Sequence, residues 1–291
     1  MKNMYRCAVN VAGVTVAFYN AYPIRVFDKF KSFITMSDKE DYTVELCEVK
    51  ELPSADATLM YAGVSFDVYE DKNGQYVRCF RNAIKDDVIY AVGRYDWNNK
   101  KICISYLPIG REVFCQIDNC IFHSAWETLL LKEKRVITHA ACVSTEAGGI
   151  LFSGPSGIGK STQADLWCRY ADAVLLNGDR PIVYRNKEEW VVSGSPYAGS
   201  SNCHKNESCN ICAIVMLKQS DKCKVQKLRM LDAFRQIFSG LTVNSWDKSC
   251  VDEITDLVIS LIKDVPVYEF ECTADKDSVS FLQKEIMKGV L

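Results

Sequence analysis

The sequence predicts a mixed α/β protein of the α+β type. A β-rich N-terminal region over residues 1–120 is followed by a domain over 121–291 built on a mixed sheet. Three observations carry this prediction. The first 120 or so residues read as short strands joined by turn signals. The pattern switches to helical spacing at Ile121. From residue 136 onward, buried apolar runs mix with helical stretches around a glycine-rich loop at 154–162.

The elements follow in order. Residues 5–19 form a long apolar stretch full of Val and Ala, one or two strands around Gly13. Residues 42–49 alternate as a strand. Residues 64–70 and 75–80 flank Asp71-Lys72-Asn73-Gly74, where Asn-Gly supplies the positive φ angles of a hairpin turn. Residues 88–97 and 101–106 flank Asn98-Asn99 as a second hairpin, and 111–117 add a further strand. Meanders of this kind predict antiparallel pairing. Residues 121–134 carry Phe122, Ala125, Trp126, Leu129 and Leu130 at helical spacing, with Ser124 near the start and Lys132 and Lys134 near the end. The division between the two regions falls beside this helix, and no Gly/Ser/Pro linker marks it.

In the second region the spacing predicts strands at 136–144, 149–153, 173–176, 211–217 and 267–272. It predicts a hairpin of 181–184 with 190–193, and helices at 159–170, 231–238, 252–262 and 277–287.

Composition bounds the function. The chain has 291 residues and 48% apolar content, enough to bury a sizeable core. Its 35 basic and 37 acidic residues are interspersed, which argues against nucleic acid as a partner, since that task shows as a basic face. No apolar run has the length of a bilayer span, and the first residues lack the apolar core of a signal peptide. The expectation is a cytoplasmic protein without a membrane partner. The 14 cysteines are scattered, many within apolar segments, and read as small hydrophobes in a reducing compartment rather than as a disulfide frame.

The chemistry centres on Gly154-Pro155-Ser156-Gly157-Ile158-Gly159-Lys160-Ser161-Thr162, a complete G-x-x-x-x-G-K-[ST] phosphate-binding loop. Glycines at 154, 157 and 159 let backbone N–H groups converge on an anion, and the following helix presents its positive end to it. Lys160 adds a point charge at the β/γ phosphates, and the Ser161 hydroxyl can complete a Mg²⁺ shell. The loop sits between an apolar strand and a helical pattern, so it predicts a nucleoside triphosphate and Mg²⁺ as ligands. Such a metal needs a carboxylate from a neighbouring strand. Asp179, nineteen positions after Lys160, closes the apolar run 173–176 and supplies it. The short gap makes the acid strand the next in the chain. Many P-loop GTPases and motor ATPases insert more structure there.

These residues carry a resemblance. Thr138-His139-Ala140-Ala141-Cys142-Val143, the run from Gly149 through the loop to Ser161, and Asn177-Gly178-Asp179-Arg180 resemble the HPr kinase/phosphorylase family. The likeness is greatest to its smaller HPr serine kinase-like relatives. That superfamily shares its nucleotide-binding core with ATP-dependent phosphoenolpyruvate carboxykinase. The match covers about residues 135–185. The resemblance implies a PEPCK/HPr-kinase-like P-loop core, with His139 at the family's histidine and Asp179 at the second member of its Asp pair. Gly178 replaces the first Asp. One carboxylate then does both of the pair's jobs, metal binding and nucleophile activation, or His139 takes a larger share. The glycine-rich signature for phosphorolysis is not evident after Tyr184, which argues against dephosphorylation by inorganic phosphate. The chain is shorter than a typical carboxykinase and its oxaloacetate-binding residues cannot be placed, which argues against decarboxylation.

Read alone, His139 is a core histidine on a strand. Read with the family match, it orients or deprotonates an acceptor hydroxyl, or contacts the γ-phosphate. His123 reads as structural. The polar stretch 194–206 reads as a surface loop or as an acceptor pocket, with Lys205 or Asn206 near the transferred phosphate. Cys203, His204, Cys209 and Cys212 contain one C-x-x-C half-site for zinc, without a second half at usable spacing.

The resulting expectation is an ATP- and Mg²⁺-dependent kinase. It transfers a phosphoryl group to a hydroxyl acceptor on a peptide, a carrier protein or a small molecule, with Asp179, His139 and Lys160 as catalytic residues. The alternatives are an ATP-binding regulator without phosphotransfer, favoured by Gly178, and a carboxykinase-like lyase.

Overall fold

A computed structural model describes residues 4–54, 57–82 and 88–290. The chain divides into two units, Met1–Lys132 and Glu133–Leu291. The sequence placed its division at 120/121; the helical segment after Ile121 is part of the first unit.

The first unit is built on one eight-stranded sheet. Its strands are β1 (Tyr5–Val11), β2 (Val14–Asn20), β3 (Tyr42–Glu48), β4 (Ala57–Ala62), β5 (Phe66–Asp71), β6 (Tyr76–Asn82), β7 (Val88–Asp96) and β8 (Lys101–Tyr106). The spatial order is β1-β2-β3-β8-β7-β6-β5-β4. The turn chemistry fixes the hairpins. Asp71 Oδ1 accepts from the N–H of Asn73 and of Gln75, and Gly74 takes φ +73°. The pairing is not all antiparallel. β3 pairs parallel with both β2 and β8, so the sheet is mixed. The 21–41 connection, too long for a hairpin and containing a 3₁₀ turn over Asp28–Phe33, returns the chain in the same direction.

Two expectations fail here. Residues 111–117 are not a strand but α1 (Arg111–Phe114) followed by the start of α2 (Ile117–His123). The expected helix 121–134 is interrupted: α2 ends at His123, Ala125 takes φ +57°, and α3 (Trp126–Lys132) begins anew. Phe114 and Ile117, three positions apart, are residues that bury, which is the spacing of a helix and not of a strand.

His123 is structural, as expected. It is 2% exposed; its Nδ1 lies 2.6 Å from the Asn119 carbonyl and its Nε2 2.8 Å from the Tyr90 hydroxyl. The ring of Phe80 lies tilted at 4.3 Å and that of Phe114 edge-on at 4.6 Å from the imidazole, centroid to centroid. Burial pushes its pKa down to about 4. The unfolded chain therefore binds a proton below pH 6.5 that the folded chain refuses until about pH 4. Stability contributed by the neutral form is complete above 6.5 and is lost on acidification through that window. The loss is about 3 kcal/mol from this group alone. Urea unfolding of the full chain at pH 7 and pH 4.5 checks it. His123→Gln should flatten the acid-side decline relative to wild type; an identical slope would remove the assignment.

The second unit is built on a nine-stranded sheet. Its elements are β9 (Arg135–Ile137), β10 (Ala140–Thr145), β11 (Gly148–Ser153), α4 (Lys160–Tyr170), β12 (Val174–Asn177), β13 (Ile182–Asn186), β14 (Glu189–Ser193), β15 (Ser208–Gln219), β16 (Lys224–Lys227), α5 (Met230–Ser239), α6 (Lys248–Asp264), β17 (Val267–Cys272) and α7 (Lys276–Val290). The path runs β12-β10-β11-β15-β14-β13-β9, with β17 on β15 and β16 on β17. β11, β15 and β17 run parallel, and the rest of the sheet is antiparallel. Ala141, Val143, Ile150, Phe152, Ala213, Val215 and Phe270 face α4 and α7, packing on Trp167, Val279 and Leu282. On the opposite face Ala140, Leu151 and Ile214 share a lining with Ile237, Val258 and Leu261 of α5 and α6. Both faces are covered, which is why these strands read as continuous apolar runs rather than alternating ones. Among the described residues no helix is long and apolar enough to cross a membrane.

Candidate phosphate-binding site

The parallel strands β11, β15 and β17 all end at one edge of the second sheet, the edge where open α/β sheets hold their ligands. Residues 154–159 leave β11 there and enter α4. Gly154, Gly157 and Gly159 take φ of +141°, +79° and +110°. A side chain at Gly154 would meet Ile158 at 3.2 Å, whereas Gly157 and Gly159 face open space. The loop thus turns on left-handed backbone and leaves its mouth clear. Pro155, Ser156, Ser161 and Thr162 are exposed along this rim, and Ile158 is half-buried against the core.

Lys160 is 8% exposed, and its Nζ donates to the carbonyls of Gly154 (3.0 Å) and Pro155 (3.2 Å). Burial lowers its pKa; Asp179 acts the other way. A buried ammonium held on two carbonyls at the mouth of a glycine loop fits an anionic ligand.

Asp179 is set by its turn. The buried Asn177 accepts at Oδ1 from the N–H groups of Asp179 (3.0 Å) and Arg180 (2.8 Å), and the Ala140 N–H donates to the Asp179 carbonyl (3.0 Å). Asp179 Oδ1 stands 3.2 Å from His139 Nε2, and Oδ2 stands 3.6 Å from Arg180 Nε. His139 itself is anchored, its N–H donating to the Gly240 carbonyl (2.7 Å). Burial, then Lys160, lowers the His139 pKa, and Asp179 raises it. The imidazole is therefore neutral at pH 7, and the facing carboxylate favours the proton on Nε2.

The residues present also suit Mg²⁺. That ion keeps several waters and binds through one or two carboxylates plus substrate phosphates. Among the described residues no three His, Cys, Asp or Glu side chains converge on one point. A single carboxylate with the exposed Ser161 hydroxyl matches a phosphate-borne ion, not a closed protein cage. The cysteines considered for zinc have separate partners: the Cys203 thiol donates to the Leu175 carbonyl (3.2 Å), the Cys212 thiol to Gly149 (3.4 Å), and Cys209 lies beside Cys142.

The stretch 194–206 braces the acid's turn. Ser195 Oγ donates to the Arg180 carbonyl (2.6 Å), Asn177 Nδ2 donates to the Ser195 carbonyl (3.1 Å), and the 3₁₀ turn Gly199–Ser201 packs on Gly178 and Asp179. This packing explains the glycine at 178. A Cβ there would clash with Ser201 Oγ and stand 3.0 Å from the Ala198 carbonyl. Gly178→Asp, which would restore the paired acids of the resembled family, should therefore destabilise the chain by about 2 kcal/mol. Ser201→Gly in the same chain should recover part of that loss. Urea midpoints of the three chains check this; an unperturbed Gly178→Asp chain would show that the 199–201 turn yields freely.

Sequence reasoning named the loop, Lys160, Asp179 and His139, and the structure brings these together. It missed Asn177, Lys218 and Glu269. Asn177 carried a signal, an Asx residue two before the acid that could fold back on it. Lys218 and Glu269 pair at 2.7 Å across 51 positions of sequence, with no local signal.

Two clefts flank the loop. One, of about 570 Å³ on the α4 side, is lined by Gly157, Gly159, Thr162, Gln163 and the turns after β15 and β17. The other, of about 530 Å³ on the α5 side, is lined by His139, Gly154, Pro155, Lys218, Gln236 and Glu269, among others.

No family model matches the chain, and no curated protein matches it. Among solved structures, the Hpr(Ser) kinase/phosphatase from Coxiella burnetii is similar at 12% identity and a TM-score of 0.31, over 53% of this chain and 93% of that one.

Proposed function

We propose that the second unit is a phosphotransferase that binds Mg-ATP at 154–162 and passes the γ-phosphoryl group to an acceptor hydroxyl. The observation that carries this reading is the meeting of three groups at one strand edge: the buried Lys160 ammonium, the glycine loop, and the His139–Asp179 pair at 3.2 Å. Lys160 and the loop N–H groups neutralise and orient the phosphates. Asp179 and Ser161 would hold the metal, whose charge would screen the phosphoryl oxygens. His139, neutral and fixed by Gly240, takes or orients the acceptor proton with Asp179. The reading gives Pro155, Ser156, Ile158 and Thr162 no chemistry beyond shaping the rim. The first unit would serve acceptor recognition.

One observation favours a second reading, a nucleotide-binding regulator. The space beside Asp179 is filled by Ser201, so the site has a single acid. Incubating the full chain with γ-labelled ATP and fractionated cytosol separates the two. Label moving to a protein or metabolite supports the kinase. Slow hydrolysis with no labelled acceptor supports the regulator.

A further inference from the structure

We propose that the α5-side cleft is the acceptor subsite, and that Lys218 selects acceptors whose reacting hydroxyl lies close to a carboxylate. The inference rests on the phosphotransfer reading and adds a substrate class to it.

In-line transfer puts the attacking oxygen opposite the leaving one, so nucleoside and acceptor approach the loop from opposite sides. The two clefts lie on those sides. His139 lines the α5-side cleft, and the walls of the α4-side cleft are the loop's own helix start and two turns, one of which carries Asp221. The side that holds the proton acceptor belongs to the acceptor hydroxyl. A volume of about 530 Å³ suits a small molecule or a chain end.

Among the described residues that line the cleft, Lys218 is the lysine or arginine. Lys218 leaves the end of β15 beside the loop, and its side chain is 54% exposed. Glu269 fixes it at 2.7 Å and is itself 7% exposed. Gln226 Nε2 also donates to Glu269 (2.9 Å), so both oxygens of this carboxylate are engaged by protein. Lys218 holds the Glu269 carboxyl below its ordinary range despite burial, with Gln226 and Gln236 adding to it. Among the described residues the ammonium has no second partner, which leaves N–H bonds turned to the cleft for an anion. In the reaction the acceptor O–H bond breaks, its oxygen bonds to the γ-phosphorus, and the bond from that phosphorus to the ADP oxygen breaks. The proton goes to the His139–Asp179 pair and then to solvent. ATP is the only co-reactant.

The test measures ADP release by the full chain with Mg-ATP and four probes: D-glycerate, L-serine, glycerol and ethanolamine. Nucleotide affinity is measured separately by calorimetry. Glycerate or serine should raise ADP release with a kcat/KM about tenfold or more above that of glycerol and ethanolamine, the value of one charge-assisted hydrogen bond. Lys218→Met should erase that preference with nucleotide affinity within about twofold, and Lys218→Arg should restore part of it. Lys218→Met/Glu269→Gln removes the charge without stranding a buried carboxylate, and should behave as the single variant does. A serine-ended tetrapeptide, free or amidated at its C-terminus, distinguishes the carboxylate's source: preference for the free peptide supports the inference as a chain end, and equal use of the amide overturns it. Equal use of glycerol, no stimulation by any probe, or a preference that survives Lys218→Met overturns it too. Absence of Mg-ATP binding by wild type would instead sink the phosphotransfer reading.

Discussion

Lys160→Ala removes ATP turnover, with an expected loss of about 10³-fold or more in kcat/KM, while the unfolding midpoint of the chain moves little. The asymmetry follows from where the ammonium sits. Lys160 does not anchor the hydrophobic core; its Nζ bridges the Gly154 and Pro155 carbonyls at the rim of the loop. Pro155 is exposed, so water can replace the ammonium there, and the stability cost is about 1 kcal/mol. For a bound triphosphate no such replacement exists. The loop N–H groups remain, but the only full positive charge inside the loop is gone. The variant carries a second readout. Lys160 is one of the influences holding the His139 pKa down, so its loss should move the His139 titration upward. Proton NMR of the imidazole resolves that shift without any activity. Steady-state ADP formation and urea unfolding check the rest. Wild-type turnover in this variant would refute the site.

The parts of this arrangement that were legible in the sequence are those written locally. The loop motif spans consecutive residues, and its strand and helix flank it directly, so 154–162 could be read without knowing the sheet. Asp179 was legible because the acid closes an apolar run, and β12 does end at Asn177, two residues before it. His139 was reached through resemblance; its meeting with Asp179 is made by the Ala140 N–H to Asp179 carbonyl bond next to β10, which no local pattern states. Strand order was not legible either. β3 pairs parallel with β2 because a 21-residue connection, 21–41, returns the chain in the same direction, and parallel with β8 after four intervening strands; a hairpin reading has no way to see either. The segment 111–117 failed for a different reason. Apolar residues at alternate positions look like a strand over so short a span, and only the burial of Phe114 with Ile117, three apart, shows the helical face. Lys218 and Glu269 were ordinary surface-type residues in the sequence. They become a pair because parallel β15 and β17 bring their ends to the same edge.

Asp179→Asn should keep the fold and nucleotide affinity in the absence of metal, yet lose Mg²⁺-dependent phosphotransfer by about 10²- to 10⁴-fold. The fold survives because main-chain bonds place this residue. The Ala140 N–H holds its carbonyl and Asn177 Oδ1 holds its N–H, and neither depends on the carboxylate. The side-chain partners lost are His139 at 3.2 Å and the exposed Arg180 at 3.6 Å, a surface-type pairing of about 0–1 kcal/mol. The chemistry does not survive, because Gly178 offers no second acid to take over metal holding or proton acceptance. The His139 pKa should fall further, since the carboxylate is what opposes burial and Lys160 there. Lys160→Ala and Asp179→Asn thus shift the same histidine in opposite directions. Varying Mg²⁺ from zero to saturation in a phosphotransfer assay reads the main effect, and imidazole NMR reads the second. A metal response identical to wild type would remove Asp179 from the site. Lost turnover with an unshifted histidine would leave the metal role standing and remove the proposed coupling between the two side chains.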